Sequence, residues 1–180
     1  MENSEQKVWF AMRATYRREM IAKRQLEALG IDSFVPMRQE MQIKGGRRRR
    51  RLVPAIHNLI FVHVEPTVLQ AQKSKMPYLQ YIVRKGFLDR GEKIIVPTDQ
   101  MERFIALTGT MEDELMYLAP SEVPLETGLR VRIHGGNCDG QEGFLVKLAG
   151  YRSRKVVVAI EGVVAVMLAQ VAPEQLEVLE

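Results

Sequence analysis

The stretch from Thr127 to Leu145 constrains the fold of this chain most, because it combines strand alternation with closely spaced glycines. Its first part, Arg130 to Ile133, alternates charged and apolar residues, as a strand with one buried face does. Four glycines, at positions 128, 136, 140 and 143, fall where the backbone must turn sharply or take a positive φ. A second apolar run, Phe144 to Leu148, follows. This pattern predicts the start of a small all-β barrel.

The first 108 residues alternate strand and helix patterns. Strands are predicted at Lys7–Thr15, Ser33–Ile43, Leu52–Val64 and Leu79–Arg84. Helices are predicted at Arg17–Leu29, at Pro66–Lys75 and after the N-cap residue Thr98. The order predicts an α+β domain with a four-stranded antiparallel sheet flanked by helices. Gly45-Gly46 and the arginine run that follows are expected to connect two of the strands as a long, mobile hairpin.

The pattern changes after residue 108. Residues 109–123 carry an acidic patch, Glu112-Asp113-Glu114, and the proline Pro120, which favours a linker. Five short strands follow, at Arg130–Ile133, Gly143–Leu148, Arg154–Glu161, Val163–Ala169 and Leu176–Leu179. We therefore predict three segments: a domain at 1–108, a linker at 109–123 and an SH3-like barrel at 124–180.

Charge is distributed unevenly along the chain. Up to Thr108 there are 20 Lys/Arg against 11 Asp/Glu, a net charge of +9. From Gly109 onward there are 6 against 11, a net charge of −5. The N-terminal part is therefore the candidate for nucleic-acid contact, and the C-terminal part is not.

The sequence offers little chemistry for an enzyme. The three histidines, His57, His63 and His134, show no metal-ligand spacing with each other or with Cys138, so we expect no metal and no cofactor. The loop Gly135–Gly140 lacks the Gly-Lys-Ser/Thr ending of a P-loop, and a turn explains its glycines better. Lone Cys138 favours a reducing cytoplasm. We expect no secretion signal, because Met1–Lys7 is polar, and no membrane span, because no apolar run approaches about 20 residues.

Two basic segments are candidates for nucleic-acid binding, because each neutralised phosphate releases counterions. They lie on the first strand and helix and in the arginine run: Arg13, Tyr16, Arg17, Arg18, Arg24, Arg47, Arg48, Arg49, Arg50 and Arg51. Tyr16 is an aromatic that could stack on an unpaired base. The alternative interpretation is that these charges form solvated faces.

The segment from Ile56 to Val62 is apolar on both of its alternating sets. In a sheet covered on one side, this leaves large apolar side chains exposed, which usually marks a partner site. The alternative is that both faces of the sheet are covered.

These segments together resemble the NusG family of transcription elongation factors over nearly the whole chain. Val8-Trp9-Phe10 is similar to the family's opening strand, and Pro54–Glu65 to its Pro-(Gly/Asn)-Tyr-(Val/Leu)-Phe-Val strand. Ile95-Val96-Pro97-Thr98 resembles the start of its last N-domain helix, and Gly128–Gly143 its KOW signature. Arg13–Tyr16 and Ile160-Glu161-Gly162 look most like the specialised UpxY-type paralogs, and Asp32–Met37 resembles a strand of the paralog RfaH.

The resemblance implies a monomeric antiterminator that promotes transcription of a surface or capsular polysaccharide operon. It implies contact with the clamp helices of the largest RNA polymerase subunit and with the opposite lobe of the polymerase cleft. The matching positions are Ile56, Leu59, Phe61, Met101 and Phe104 for the clamp helices, and Gln70, Gln72 and Lys73 for the opposite lobe. The basic residues would hold non-template or upstream DNA.

The resemblance also bears on the barrel. A ribosomal protein is a further candidate partner of the KOW barrel, although Asn137-Cys138 replaces the family's usual Pro-Phe in its loop. In RfaH this domain can fold as a helical hairpin that masks the clamp-helix pocket. Val156-Val157-Val158 favours strands here, so we expect an ordinary barrel with the pocket open. The alternative function is a ribosome-associated or RNA-binding KOW adaptor.

Overall fold

The computed structural model describes residues 5–86, 90–110 and 115–180. It divides the chain into two compact units, residues 1–101 and 102–180. The division falls inside the last helix and not at residue 108, where the sequence suggested it. The predicted acidic patch Glu112-Asp113-Glu114 lies outside the described residues.

The first unit is built on an antiparallel sheet. Its strands are β1 Val8–Ala14, β2 Asp32–Phe34, β5 Leu59–Val64, β6 Leu79–Tyr81 and β9 Ile95–Val96. They run in the order β2-β5-β1-β6, and β9 also pairs with β1. The sheet therefore has five strands where the sequence predicted four. The extra strand is short, and two residues give too brief a pattern to be recognised from sequence.

Two hairpins stand apart from this sheet. The larger one joins β3 Met37–Lys44 to β4 Arg47–Pro54, and the smaller one joins β7 Val83–Lys85 to β8 Gly91–Lys93. A hairpin was expected at Gly45-Gly46 and the arginine run, and a hairpin is present here, but the arginine run forms most of strand β4 instead of lying between the two strands. A two-residue hairpin turn of type I′ needs positive φ at both positions, and Gly45 and Gly46 supply it, with φ of 59° and 75°.

The helices are α1 Glu19–Ala28, α2 Pro66–Lys73 and α3 Thr98–Thr110. Leu26 of α1 and Leu69 of α2 are fully buried in a core with Ile60 and Val62 of β5. These contacts account for one alternating set of β5, which faces the helices. Burial of such apolar side chains contributes about 1.5–3 kcal/mol each.

The second unit is all-β after α3, as the sequence predicted. Its strands are β10 Leu115–Leu118, β11 Leu129–Ile133, β12 Glu142–Val146, β13 Lys155–Ile160, β14 Val164–Leu168 and β15 Leu176–Val178. They form one six-stranded sheet in the order β10-β14-β13-β12-β11-β15. Strand β10 lies within the predicted linker and pairs with β14, so part of that linker belongs to the sheet.

The β-branched stretch Val156-Val157-Val158 lies in β13, and all three side chains are buried. The expectation of strands in place of a helical hairpin is therefore confirmed. Cys138 is also buried, in the core that contains Val131 and Ile133. Its burial fits a small core residue better than a nucleophile.

Candidate functional site

The hairpin of β3 and β4 presents two chemically different faces. Residues directly opposite each other in an antiparallel pair share a face, and successive residues alternate between faces. The pairs Lys44–Arg47, Gln42–Arg49, Glu40–Arg51 and Arg38–Val53 therefore form one side, which we name the basic face. The pairs Ile43–Arg48, Met41–Arg50, Gln39–Leu52 and Met37–Pro54 form the other, which we name the apolar face.

The basic face concentrates positive charge along the ribbon. It carries Arg38, Lys44, Arg47, Arg49 and Arg51 against one carboxylate, Glu40. Glu40 lies 3.5 Å from the Arg38 guanidinium, measured from Oε1 to an Nη atom. A single carboxylate cannot neutralise five cations, so the face remains strongly positive, as a surface that contacts phosphates does.

The root of the hairpin is fixed to the first unit. The Ala55 N–H donates a 2.7 Å hydrogen bond to the Pro36 carbonyl, across the point where the two strands leave the sheet. On the apolar face, Met37 packs against the helix-side core. These contacts hold the base of the ribbon and leave all five arginines exposed.

A second basic site follows β1, where two successive residues adopt the left-handed conformation. Tyr16 has φ 59° and Arg17 has φ 55°, and each costs roughly 1–2 kcal/mol for a non-glycine residue. The Arg17 N–H donates a 2.7 Å hydrogen bond to Oδ1 of Asn58, in the connection between β4 and β5. Strain of this kind persists only where the surroundings fix it, and it is frequent at functional sites.

Asn58 is itself fixed by two hydrogen bonds to its backbone. Its N–H donates to Oε2 of Glu19 at 3.3 Å, and the Glu19 side chain is 3% exposed. Its carbonyl accepts a 2.8 Å hydrogen bond from the Ala14 N–H. Asn58 and Glu19 were not predicted as site residues, although an asparagine directly before a strand is a recognisable signal for a left-handed turn.

This arrangement presents an aromatic ring beside cations. The Tyr16 side chain is 84% exposed. The Arg18 guanidinium carbon lies 5.7 Å from the Tyr16 ring centroid and 5.4 Å from that of Tyr78. Burial raises the pKa of the Tyr78 hydroxyl above its ordinary value, while the Arg18 charge opposes that shift. An exposed ring held next to arginines can stack on an unpaired base.

The remaining predicted nucleic-acid residues are exposed on neighbouring elements. Arg13 lies on β1, where it pairs with Leu59 and Gln80, and Arg24 lies on α1. Their exposure is consistent with contact to an anion and equally with a solvated face.

Helix α2 places two of the three residues predicted to touch the second polymerase lobe around Tyr81. The Tyr81 hydroxyl donates to Oε1 of Gln70 at 3.4 Å, and Nζ of Lys73 lies 4.3 Å from the Tyr81 ring centroid. Lys93 was not predicted as a site residue, and its Nζ lies 4.1 Å from the same centroid. Burial raises the pKa of the Tyr81 hydroxyl above its ordinary value. Gln72 is half-buried.

The predicted clamp-helix pocket differs most from expectation. Leu59 is 4% exposed, and Phe61, Met101 and Phe104 are fully buried. The expectation of an open pocket is therefore wrong for these four side chains in this structure. Both alternating sets of β5 are covered, as the alternative interpretation of its sequence allowed. Of the predicted pocket residues, only Ile56 is half-buried.

The histidines serve separate structural contacts. The His63 ring stacks on Trp9 with 4.7 Å between centroids, and a ring nitrogen of His134 lies 2.7 Å from Oε2 of Glu177. Within residues 5–86, 90–110 and 115–180, no group of His, Cys, Asp and Glu is arranged to hold a metal ion. In the same ranges, no helix is long and apolar enough to cross a membrane.

Comparison with known proteins gives one family. Residues 7–105 match the family model described as "NusG: Transcription termination factor nusG". No curated protein matches the chain. Among solved structures, the chain is similar to one described as "Domain interaction in Thermotoga maritima NusG", with 21% identity and a TM-score of 0.46. That similarity covers 97% of this chain and 98% of the other.

Proposed function

We propose the following role for this chain, which belongs to the NusG family of transcription elongation and antitermination factors that bind RNA polymerase. It is a specialised, RfaH-like paralog of the UpxY type that makes transcription of a surface or capsular polysaccharide operon processive. It holds the non-template strand or the upstream duplex while it is bound to the polymerase clamp helices. The observation that carries the DNA contact is the basic face, with five cations aligned on one side of a ribbon.

The clamp-helix contact is proposed for the sheet face that carries Leu59 and Phe61. Because both side chains are buried here, that face must become accessible before a helix can pack against it. Ile56, in the connection that precedes β5, is only half-buried and is partly accessible in the present conformation. The second polymerase lobe is proposed to contact α2 at Gln70, Gln72 and Lys73.

The unpaired DNA strand is proposed to contact the strained loop. Tyr16 would stack on one base, while Arg17 and Arg18 would contact neighbouring phosphates. Preorganisation supports this assignment, since the Asn58 hydrogen bond to the Arg17 N–H already fixes the backbone beside the ring and so lowers the cost of ordering it at binding.

Transcription by purified bacterial RNA polymerase through a paused template, with and without the full chain, tests this role. We expect shorter pauses, loss of the effect for Tyr16→Ala and for Ile56→Glu, and co-elution of the wild-type chain with polymerase. The matched control is Tyr16→Phe, which keeps the ring and should retain activity. Unchanged pausing, together with co-elution of the chain with ribosomal proteins and rRNA instead of polymerase, would favour the KOW adaptor.

A further inference from the structure

The apolar face of the β3–β4 hairpin is unexplained by DNA binding. Met41 is 54% exposed, Ile43 is 73% exposed and Leu52 is 46% exposed. All three lie on the side opposite Lys44, Arg47, Arg49 and Arg51. Solvent-exposed apolar side chains that lie next to one another usually mark an interaction surface.

The three side chains continue the core of the first unit outward. Met37, on the same face, packs against that core at the root of the hairpin. The next position on this face of β3 is Gln39, which lies opposite Leu52, and Met41 and Ile43 follow it. With a rise of about 3.3 Å per residue, the stripe of Leu52, Met41 and Ile43 extends roughly 20 Å from Met37. A stripe of this length is suited to a partner that lies along the ribbon.

The geometry of a two-stranded ribbon limits what can occupy this face. Its two faces point in opposite directions, so a duplex lying on the basic face cannot also cover Ile43. A second copy of the chain is disfavoured, because face-to-face packing would bring Arg48 of one copy toward the arginines of the other. A protein surface with apolar side chains flanked by carboxylates complements both Ile43 and Arg48.

We propose that the apolar face docks on such an acidic, apolar protein surface of RNA polymerase, while the basic face holds DNA. This inference rests on the function proposed above. The hairpin would then lie between the nucleic acid and the polymerase, with a different ligand on each side. It would also explain why charges of one sign share a ribbon with three exposed apolar side chains.

Site-specific photo-crosslinking tests the two faces separately. Benzoylphenylalanine is placed at position 43 or, as the matched control, at position 42, which is adjacent but on the basic face. Each protein is bound to polymerase elongation complexes that contain end-labelled DNA. We expect position 43 to crosslink to a polymerase subunit, at a segment rich in carboxylates, and position 42 to crosslink to DNA.

A crosslink from position 43 to DNA, or none from position 43 while position 42 labels DNA, would overturn the docking proposal and leave the proposed function intact. Failure of both proteins and of the wild-type chain to co-elute with polymerase would overturn the two together. Co-elution is therefore measured in the same samples.

Substitution gives a second measurement. Ile43→Ser removes exposed apolar area without touching the basic face, and we expect roughly a tenfold weaker affinity for the elongation complex. Affinity for free duplex DNA should stay within about twofold, since the phosphate contacts remain. Val83→Ser, which removes exposed apolar area from the other hairpin, is the control. Equal loss of affinity for free DNA and for the complex would contradict the proposal.

Discussion

Strands β4 and β5 are neighbours in sequence, yet their environments are opposite. Five of the eight residues of β4 are arginines, and its first six residues are exposed. In β5, by contrast, five of the six residues are buried and the remaining one, His63, is half-buried. Neither strand shows the simple alternation of a half-buried strand. In β5 the side chains on both faces of the strand are apolar, because both faces are covered. In β4 the side chains on both faces are exposed along most of the strand, because the hairpin extends away from the sheet. The difference shows that strand chemistry here is set by how many sides are covered.

The strongest challenge to this comparison is a charge placed inside β5. Phe61 is fully buried, so Phe61→Glu should destabilise the chain by about 4 kcal/mol or more, since an unpaired charge would have to leave water. Phe61→Leu should cost only about 1 kcal/mol, and Arg49→Glu on β4 no more than about 0.5 kcal/mol. Urea unfolding measures all three. An unfolding midpoint for Phe61→Glu equal to that of the wild-type chain would show that the face of β5 that carries Phe61 is exposed in solution.

The connection between the two strands provides the next test. Glu19→Ala removes the buried acceptor of the Asn58 N–H, and we expect a loss of about 1–3 kcal/mol, because that donor is left without its partner. Glu27→Ala on the same helix removes an exposed pair with Lys23 and should cost at most about 0.5 kcal/mol. Thermal unfolding distinguishes them. Equal losses would mean that Glu19 does not fix the connection.

The two faces of β4 can be separated by matched double substitutions. Arg47→Ser with Arg49→Ser removes two charges from the basic face, and Arg48→Ser with Arg50→Ser removes two from the apolar face. The first pair should lower the slope of log affinity against log salt by about 1.8, and the second should change it little. Fluorescence anisotropy with a labelled duplex at several salt concentrations measures both slopes. Identical reductions would show that the ribbon binds DNA without regard to face.

A smaller effect concerns a strand face whose charges are neutralised within the chain. Arg132 and Arg130 of β11 lie 2.8 Å and 3.5 Å from Glu142 oxygens, in contrast to the crowded cations of β4. The hydrogen bond from Arg132 lowers the pKa of Glu142 below its ordinary value of 4.5, and the charges of Arg103, Arg132 and Arg130 add to this.

A carboxylate with a lowered pKa in the folded state stabilises that state above its unfolded pKa and loses this contribution as pH falls through the folded one. The stability of the wild-type chain should therefore fall as the pH drops below 4.5. The stability of the Glu142→Gln variant should fall less over the same range. Unfolding of the two proteins by urea at neutral and acidic pH measures the difference. An equal loss of stability at acidic pH in both proteins would exclude Glu142 as a source of the acid sensitivity.

The sequence predicted the elements better than their surroundings. Hydrophobic patterns located β1, α1, α2 and the barrel strands, because local periodicity carries that information. They could not show whether the second face of β5 is covered, since the same residues, Leu59 and Phe61, are expected on a face that binds a partner and on a face that is buried. Five consecutive arginines disfavour burial but do not exclude a strand, so the run was placed in the connecting part of the predicted hairpin and not in a strand. The pairing that a Gly-Gly turn imposes decided otherwise.

The candidate sites show a similar limit. The basic residues were recognisable by type, but their division between two faces depends on register, which Gly45 and Gly46 fix. Asn58, Glu19 and Lys93 were missed because each acts on residues distant in sequence, Arg17 among them.

The pairing of β3 with β4 has an evolutionary consequence. Deleting one arginine from the run would leave arginines opposite Lys44 and Ile43 but shift every later residue of β4 by one position, so Leu52 would move to the basic face, opposite Glu40, and Val53 to the apolar face. Chains that keep this ribbon should therefore tolerate loss or gain of two residues far better than of one. Selection would then act on the parity of the run rather than on its number of charges.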